Sequence, residues 1–190
     1  MAETTEKKKK RVNPNKKGKR GERGLAEELT KLTGLPWRRV PHSGMLRTHL
    51  SENASDKVRQ TFNGDVFCEV DYITIPFMFE SKNEKSFDYH NILLGTSSTF
   101  WNRWEQAVAE VAGMPNIYPV LALHANYKPW ILFSTYKGRG WFKSILADRG
   151  GGLIYVGTLA DLIESMYQDF PNIMTQTVEY KKRKDLQTEV

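Results

Sequence analysis

The sequence predicts an α/β protein: a central mixed β-sheet flanked by helices, with a C-terminal extension. Three observations carry that expectation. Leu25, Leu29 and Leu32 recur at helical spacing between Gly21 and Thr33. Two apolar, β-prone runs then lie within the stretch from Gly64 to Lys82, GDVFCEVDYITIPFMFESK. A second helical stripe, Ser97 to Ala112, precedes further strands at Val120 to Leu123 and Trp130 to Ser134.

Taken in order, the chain opens on a strongly basic segment. Its first 20 residues hold nine cations against Glu3 and Glu6, so they carry +7 while the rest of the chain sums to −1. Residues 1–16 are Lys-rich and have no apolar face, and are expected to be a disordered basic tail. Lys17, Lys19 and Arg20 continue that charge and suit sequence-independent phosphate contact with counterion release. A solubility tail would have the same composition.

The first helix is expected over Gly21 to Thr33, with its three leucines buried. Gly34 ends it in the usual C-terminal role, and Pro36 prevents its resumption. Trp37 to Val40 reads as a short strand that sends Arg38 and Arg39 to opposite faces. Met45 to Asn63 is polar and reads as a mobile loop or short helix. Asn83 to Thr96 reads as another loop, with His90 at the surface.

The helix at Ser97 to Ala112 places Trp101, Trp104, Val108 and Val111 at core spacing. After Gly138 to Gly140 we expect a short helix, a strand at Leu153 to Val156 and a helix at Leu159 to Phe170. Residues 171–190, with the basic run Lys181 to Lys184, read as a polar C-terminal tail.

A chain of 190 residues suits one domain with a substantial core. No apolar run reaches the ~18 residues of a membrane span, and no signal-peptide pattern opens the sequence. Cys68 is the single cysteine and falls on an apolar strand face, which points to a core residue in a reducing, cytoplasmic setting. Gly150 to Gly152 lacks the following Lys-Ser/Thr of a P-loop, so no nucleotide cofactor is expected.

The chemistry concentrates at the two central runs. Because strands alternate faces, Asp65 shares a face with Phe67 and Glu69, and Glu80 shares one with Met78 and Lys82. A fold-back around Tyr72-Ile73 sets Asp65 opposite Glu80, at the ~5 Å typical of opposed strand residues. Two such carboxylates can hold one hard cation. With a lysine two residues on, they make a metal-dependent phosphodiesterase site. The same spacing also fits an acid–lysine pair on a solvated sheet edge. Asp71 to Thr74 lacks the Asn-Gly of a tight hairpin, and Pro76 suggests an edge or bulge.

Around these runs the order of motifs is more specific. Lys17-Gly18, then Glu22-Arg23 and Leu25, open a helix; Trp37-Arg38-Arg39-Val40 and Ser43-Gly44 follow, then Asp65 and Glu80-Ser81-Lys82. In this order, over residues 16 to 134, the chain resembles the archaeal-type Holliday junction resolvases of the PD-(D/E)XK nuclease superfamily. The resemblance implies a restriction-endonuclease-like core over about residues 17–134, an extension over 135–170, and a phage or viral member. Gly64 stands where the superfamily expects Pro, and the segment from Met45 to Asn63 is longer than in compact relatives.

By this resemblance Glu22 is the helix-borne acid, Asp65 and Glu80 are metal ligands, and Lys82 is the catalytic lysine. Arg39 and Ser43 fall near the scissile phosphate. The implied set holds Mg²⁺ on Asp65, Glu80 and the backbone carbonyl of Ser81, with Glu22 serving a second metal or its water; Mn²⁺ substitutes. The implied activity is Mg²⁺-dependent resolution of four-way DNA junctions by paired symmetric nicks, with branched DNA and a second copy of the chain as partners. The alternatives are a PD-(D/E)XK nuclease of duplex, flap or single-stranded DNA, and a non-catalytic DNA-binding recombination accessory protein.

Overall fold

The computed structural model describes residues 14–41, 58, 61, 63–140, 142–147 and 152–188. Helix α1 (Pro14–Thr33) leads to strands β1 (Trp37–Arg39), β2 (Val66–Cys68) and β3 (Phe77–Glu84). Helices α2 (Tyr89–Leu93) and α3 (Ser98–Glu110) precede β4 (Tyr118–Ala125) and β5 (Ile131–Ser134). Strands β6 (Phe142–Ala147) and β7 (Leu153–Thr158) then lead to α4 (Leu159–Asp169) and α5 (Pro171–Thr188).

The strands form one seven-stranded sheet in the order β1-β2-β3-β4-β5-β7-β6. Only β3 and β4 run parallel, joined by the crossover through α2 and α3; the other neighbours are antiparallel. This is the mixed, helix-flanked α/β sheet that the sequence predicts. No helix among the described residues is long and apolar enough to cross a membrane.

Both faces of the central strands are buried, which is why β4 reads as an almost unbroken apolar run. On one face Val66, Phe79, Val120, Ala122 and Leu132 pack with Leu25 and Leu29 of α1 and Leu162 and Met166 of α4. On the other, Leu121, Leu123 and Phe133 meet Phe100, Trp101 and Trp104 of α3. Each such large side chain contributes roughly 1.5–3 kcal/mol of burial. Cys68 is buried on the first face, as its alternation predicts.

Several elements depart from expectation. Helix α1 starts at Pro14, seven residues before Gly21, so residues 14–16 are helical rather than tail. Proline suits a first helical turn because its missing N–H has no partner to lose there. Residues 1–13, the rest of the expected tail, lie outside the described residues. Leu32 is 41 % exposed; the buried stripe ends on Thr33 instead. Its Oγ1 donates to the Leu29 carbonyl and accepts from Leu35 N and Trp37 Nε1, so a polar residue is satisfied in the core. Gly34 does end the helix, with φ of 72°.

Helix α3 is narrower than its apolar pattern, since Val108 is exposed and the buried stripe runs through Phe100, Trp101, Trp104 and Ala107. The expected loop at Asn83 to Thr96 is partly ordered, with β3 continuing to Glu84 and α2 capped by Asp88. His90 is exposed, as expected.

Phe142–Ala147 is a strand, not a short helix, because β7 offers it an antiparallel partner. Six residues of mixed polarity carry no period that separates the two conformations. Residues 171–188 form α5 rather than a polar tail. Ile173 and Thr177 bury, and Tyr180 packs against the same core, at spacings of four and three residues. Only one of those three is strongly apolar, which hides the stripe in the sequence. The expected loop from Met45 to Asn63 falls outside the described residues, except for Val58, Thr61 and Asn63.

Candidate active site

The site forms where β2 begins beside β3. Val66 pairs with Phe79, and the Asp65 amide donates to the Phe79 carbonyl at 2.8 Å. That register sets Asp65 beside Glu80, as a fold-back around Tyr72-Ile73 requires. The connection is not a tight hairpin: Val70, Ile73 and Ile75 are buried within it, and Ile73 N bonds back to Val70 O. Gly64 lies flat against β3, where a Cβ would stand 3.3 Å from the Phe79 carbonyl oxygen. A glycine at this position therefore lets the strand carrying Asp65 approach closely.

Asp65 and Glu80 are 7 % and 2 % exposed, so two carboxylates are withdrawn from water side by side. Burial, and then the charge of Glu80, push the Asp65 carboxyl up to about 7. The Ser81 amide partly opposes this by donating to Asp65 Oδ2 at 2.7 Å. Glu80 Oε1 accepts from the Lys82 ammonium and from Gln106 Nε2, the latter at 2.8 Å. Lys82 thus points along the same face as Glu80, toward α3.

Glu22 approaches from α1. Its Oε2 accepts from Arg39 Nη1 at 3.1 Å, both side chains being mostly buried, and its charge raises Asp65 as well. Helix and strand touch here: a Cβ on Gly21 would stand 2.6 Å from Asn83 Cβ. Arg38 takes the opposite direction, largely exposed and paired with Glu69 at 2.6 Å. The two arginines of β1 therefore divide between the site and the outer surface, as strand alternation predicts. Lys19 and Arg20 are exposed on α1 one turn before Glu22, and Lys17 lies in the same helix. Ser43 lies outside the described residues.

Beside the site runs a groove of about 510 Å³ between α1 and the edge strand β1. Arg23, Glu27 and Lys31 of α1 line it with Arg38 and Arg39 of β1, whose guanidinium groups are paired to Glu69 and Glu22.

The donor set can be tested against a divalent cation. Among the described residues no group of three or more His, Cys, Asp or Glu side chains stands in metal-holding geometry. The carboxylate pair is nonetheless a hard-oxygen set of the kind Mg²⁺ and Mn²⁺ take. Burial first, and then the neighbouring Glu80 charge, disfavour a second negative charge on Asp65. A divalent ion would offset the repulsion between the two carboxylates.

Two polar groups of the site are missing from the sequence-based set, Gln106 and the buried Glu110, both on α3. They stand one helical turn apart along the flank of the apolar stripe, and Gln106 Nε2 lies 3.4 Å from Glu110 Oε1. That spacing was the available signal.

Comparison with known families supports the same assignment. A family described as "Phage putative PDDEXK endonuclease" matches residues 13–144, more than two thirds of the chain. No curated protein and no solved structure gave a match. The matched span runs from the start of α1 into β6 and so contains Glu22 on α1, Asp65 just before β2, and Glu80 and Lys82 on β3. With its mixed sheet and paired strand-borne acids, the chain belongs to this phage PD-(D/E)XK endonuclease family.

Proposed function

We propose that the protein is a Mg²⁺-dependent DNA endonuclease that resolves four-way junctions by paired, symmetric nicks, with Mn²⁺ able to substitute. The observation that carries the nuclease chemistry is the buried pair Asp65 and Glu80 with Lys82 on the same face. PD-(D/E)XK nucleases as a class use divalent metals, and the oxygen set here suits one.

Asp65 and Glu80 would hold the ion, joined by the Ser81 carbonyl. The Ser81 N–H bonds Asp65 Oδ2, and Phe79 O bonds Asp65 N, so these alternate residues turn their peptide groups to the same side. When bound, the ion supplies Lewis-acid polarisation of the phosphate and an acidified water. Lys82 orients the attacking water and offsets charge developing on the phosphate. Glu22 fixes Arg39 near the scissile phosphate and serves a second ion or its hydration shell.

The groove between α1 and β1 would take the backbone of the bound strand on Arg23 and Lys31, with Arg39 toward the site and Arg38 toward the outer surface. Lys19 and Arg20 extend that track along α1. A four-way junction needs two cuts and each chain brings one such site, so the reading requires a homodimer. The choice of a branched substrate rests on the resemblance of the motif order to junction resolvases.

The test compares Mg²⁺-dependent cleavage of a labelled four-way junction with linear duplexes of matching arms, for wild type and Lys82→Ala. Paired symmetric nicks in the junction, lost in the variant while binding persists, support the proposal. Equal cutting of the linear duplexes removes junction resolution and leaves a nuclease of other DNA. Tight junction binding without cleavage in Mg²⁺ or Mn²⁺ leaves a DNA-binding accessory protein.

A further inference from the structure

We propose that Tyr127 is a stacking platform for a base whose face is open at a branch point or unpaired site in the bound DNA; this rests on the nuclease reading above and concerns which DNA that site takes. Tyr127 is the one non-glycine residue with positive φ among the described residues, at 61°. It takes the third position of the turn from Ala125 to Lys128, which Lys128 N closes by donating to Ala125 O at 3.1 Å. Glycine or asparagine normally fills a third turn position with positive φ, and a bulky side chain there is strained. Asn126 would relieve that strain and stands one place too early.

The side chain is also fully exposed, at 102 %. A single exposed aromatic residue is ordinary on a protein surface. Here the exposed ring buries nothing in its own fold, yet the backbone accepts strain to hold it, which points to a use outside the chain.

The turn is firmly carried. It joins β4 to β5, whose ladder reaches Leu123 opposite Ile131. Behind it the buried Trp130 ring stacks on His124, 4.7 Å away with 28° between planes. His124 Nδ1 lies 3.2 Å from Asn83 Oδ1 on β3, and Asn83 is where α1 seats at Gly21. The hairpin, the exposed Lys19 and Arg20 of α1, and the end of β3 beyond Lys82 therefore share one end of the sheet. Lys82 is level with Leu123, so Tyr127 stands four residues further on, ~13 Å at ~3.3 Å per residue. Stacked DNA advances ~3.4 Å per nucleotide, which places the ring about four nucleotides from a phosphate at Lys82. Lys128, also exposed, adds a cation beside it.

A free ring stacks on any base, because every base has a π-face. Inside a continuous duplex both faces of each base are already covered by its neighbours. Only an interruption of the stack offers Tyr127 a face. The hairpin thus favours branched over continuous DNA, on grounds separate from the order of the motifs.

The test measures affinity in Ca²⁺ for a four-way junction and for a linear duplex of matching arms, with excess short duplex present to absorb binding to ends. Tyr127→Ala should weaken junction binding about 10-fold, the scale of one base–aromatic stack, and leave duplex binding unchanged. Tyr127→Phe should match wild type, since it keeps the ring. Tyr127→Asn should lose junction affinity like the alanine variant while its Tm rises, because asparagine relaxes the turn.

Equal loss on both DNAs, no loss on either, a phenylalanine variant as weak as the alanine, or a lower Tm for Tyr127→Asn overturns the stacking role and leaves the nuclease standing. Failure of wild type to bind or cleave either DNA overturns the proposed function and the stacking role together.

Discussion

Strand β3 is treated differently by its two neighbours. On one side β4 pairs with it along all eight residues, from Phe77 to Glu84, and both faces of that pair are packed with apolar side chains. On the other side β2 pairs Val66 with Phe79 and begins there, so the Ser81 amide bonds a carboxylate, Asp65 Oδ2, instead of a backbone carbonyl. The site is thus made by stopping a ladder short. The β4 side supplies cohesion; the β2 side leaves peptide groups and acids free of the sheet pattern, at a cost visible in the raised Asp65 carboxyl.

The strongest break in this contrast is at the acids. Asp65→Asn should lower cleavage by about 10³-fold, as loss of a preorganised charge does. The same change should stabilise the metal-free protein by about 0.5–2 kcal/mol at pH 8, as relief of a functional site commonly does. Because the folded Asp65 value of about 7 exceeds the ordinary 3.8, the folded state holds its proton more tightly. Its stability is therefore retained at low pH and lost as pH rises between those two values. Thermal melts of metal-free wild type should decline across that window, and those of the variant should not. A parallel decline in both would assign the effect elsewhere.

On the β4 side the prediction reverses. Phe133→Ala, in the core against Phe100 at 4.9 Å between ring centres, should cost about 3–5 kcal/mol in urea unfolding. Cleavage per folded molecule should stay within a few-fold of wild type. A loss of metal affinity in this variant would show that the two sides of β3 are not separable.

A smaller effect is expected where the helix meets the site. Gly21→Ala introduces a Cβ 2.6 Å from Asn83 Cβ, an atom too near the backbone to swing away. Moving α1 back should displace Glu22 and Arg39 and reduce cleavage about 10–100-fold, the scale of a shift near 1 Å. Asn83→Gly should restore part of the rate. Smallest of all, Arg23→Ala with Lys31→Ala should weaken DNA binding and flatten its salt dependence by roughly one to two phosphate contacts. An unchanged slope of log K against log salt would take DNA out of the α1–β1 groove.

Much of the site was legible because its information is local. Alternation along two adjacent runs, joined by a short connection, sets Asp65 against Glu80 without help from the rest of the chain. The split of Arg38 and Arg39 follows from the same period of two. What stayed hidden depends on distant partners. Phe142–Ala147 becomes a strand only because β7 is there to pair with it. Helix α5 buries Ile173, Thr177 and Tyr180 against a core assembled from elements far back in the chain. Gln106 looks like any exposed helical glutamine until β3 is placed beneath it.

The contact between Gly21 and Asn83 also bears on how the leading cations are carried. Arg20 and Lys19 precede Glu22 in one unbroken helix, seated against the sheet at the glycine. A slack tether would let them visit any phosphate within reach. A seated helix instead advances each of them by about 1.5 Å per residue away from the acids. In the nuclease proposed above, distance along the helix would become distance along the nucleic acid, and the N-terminal end of α1 would work as a ruler rather than a leash.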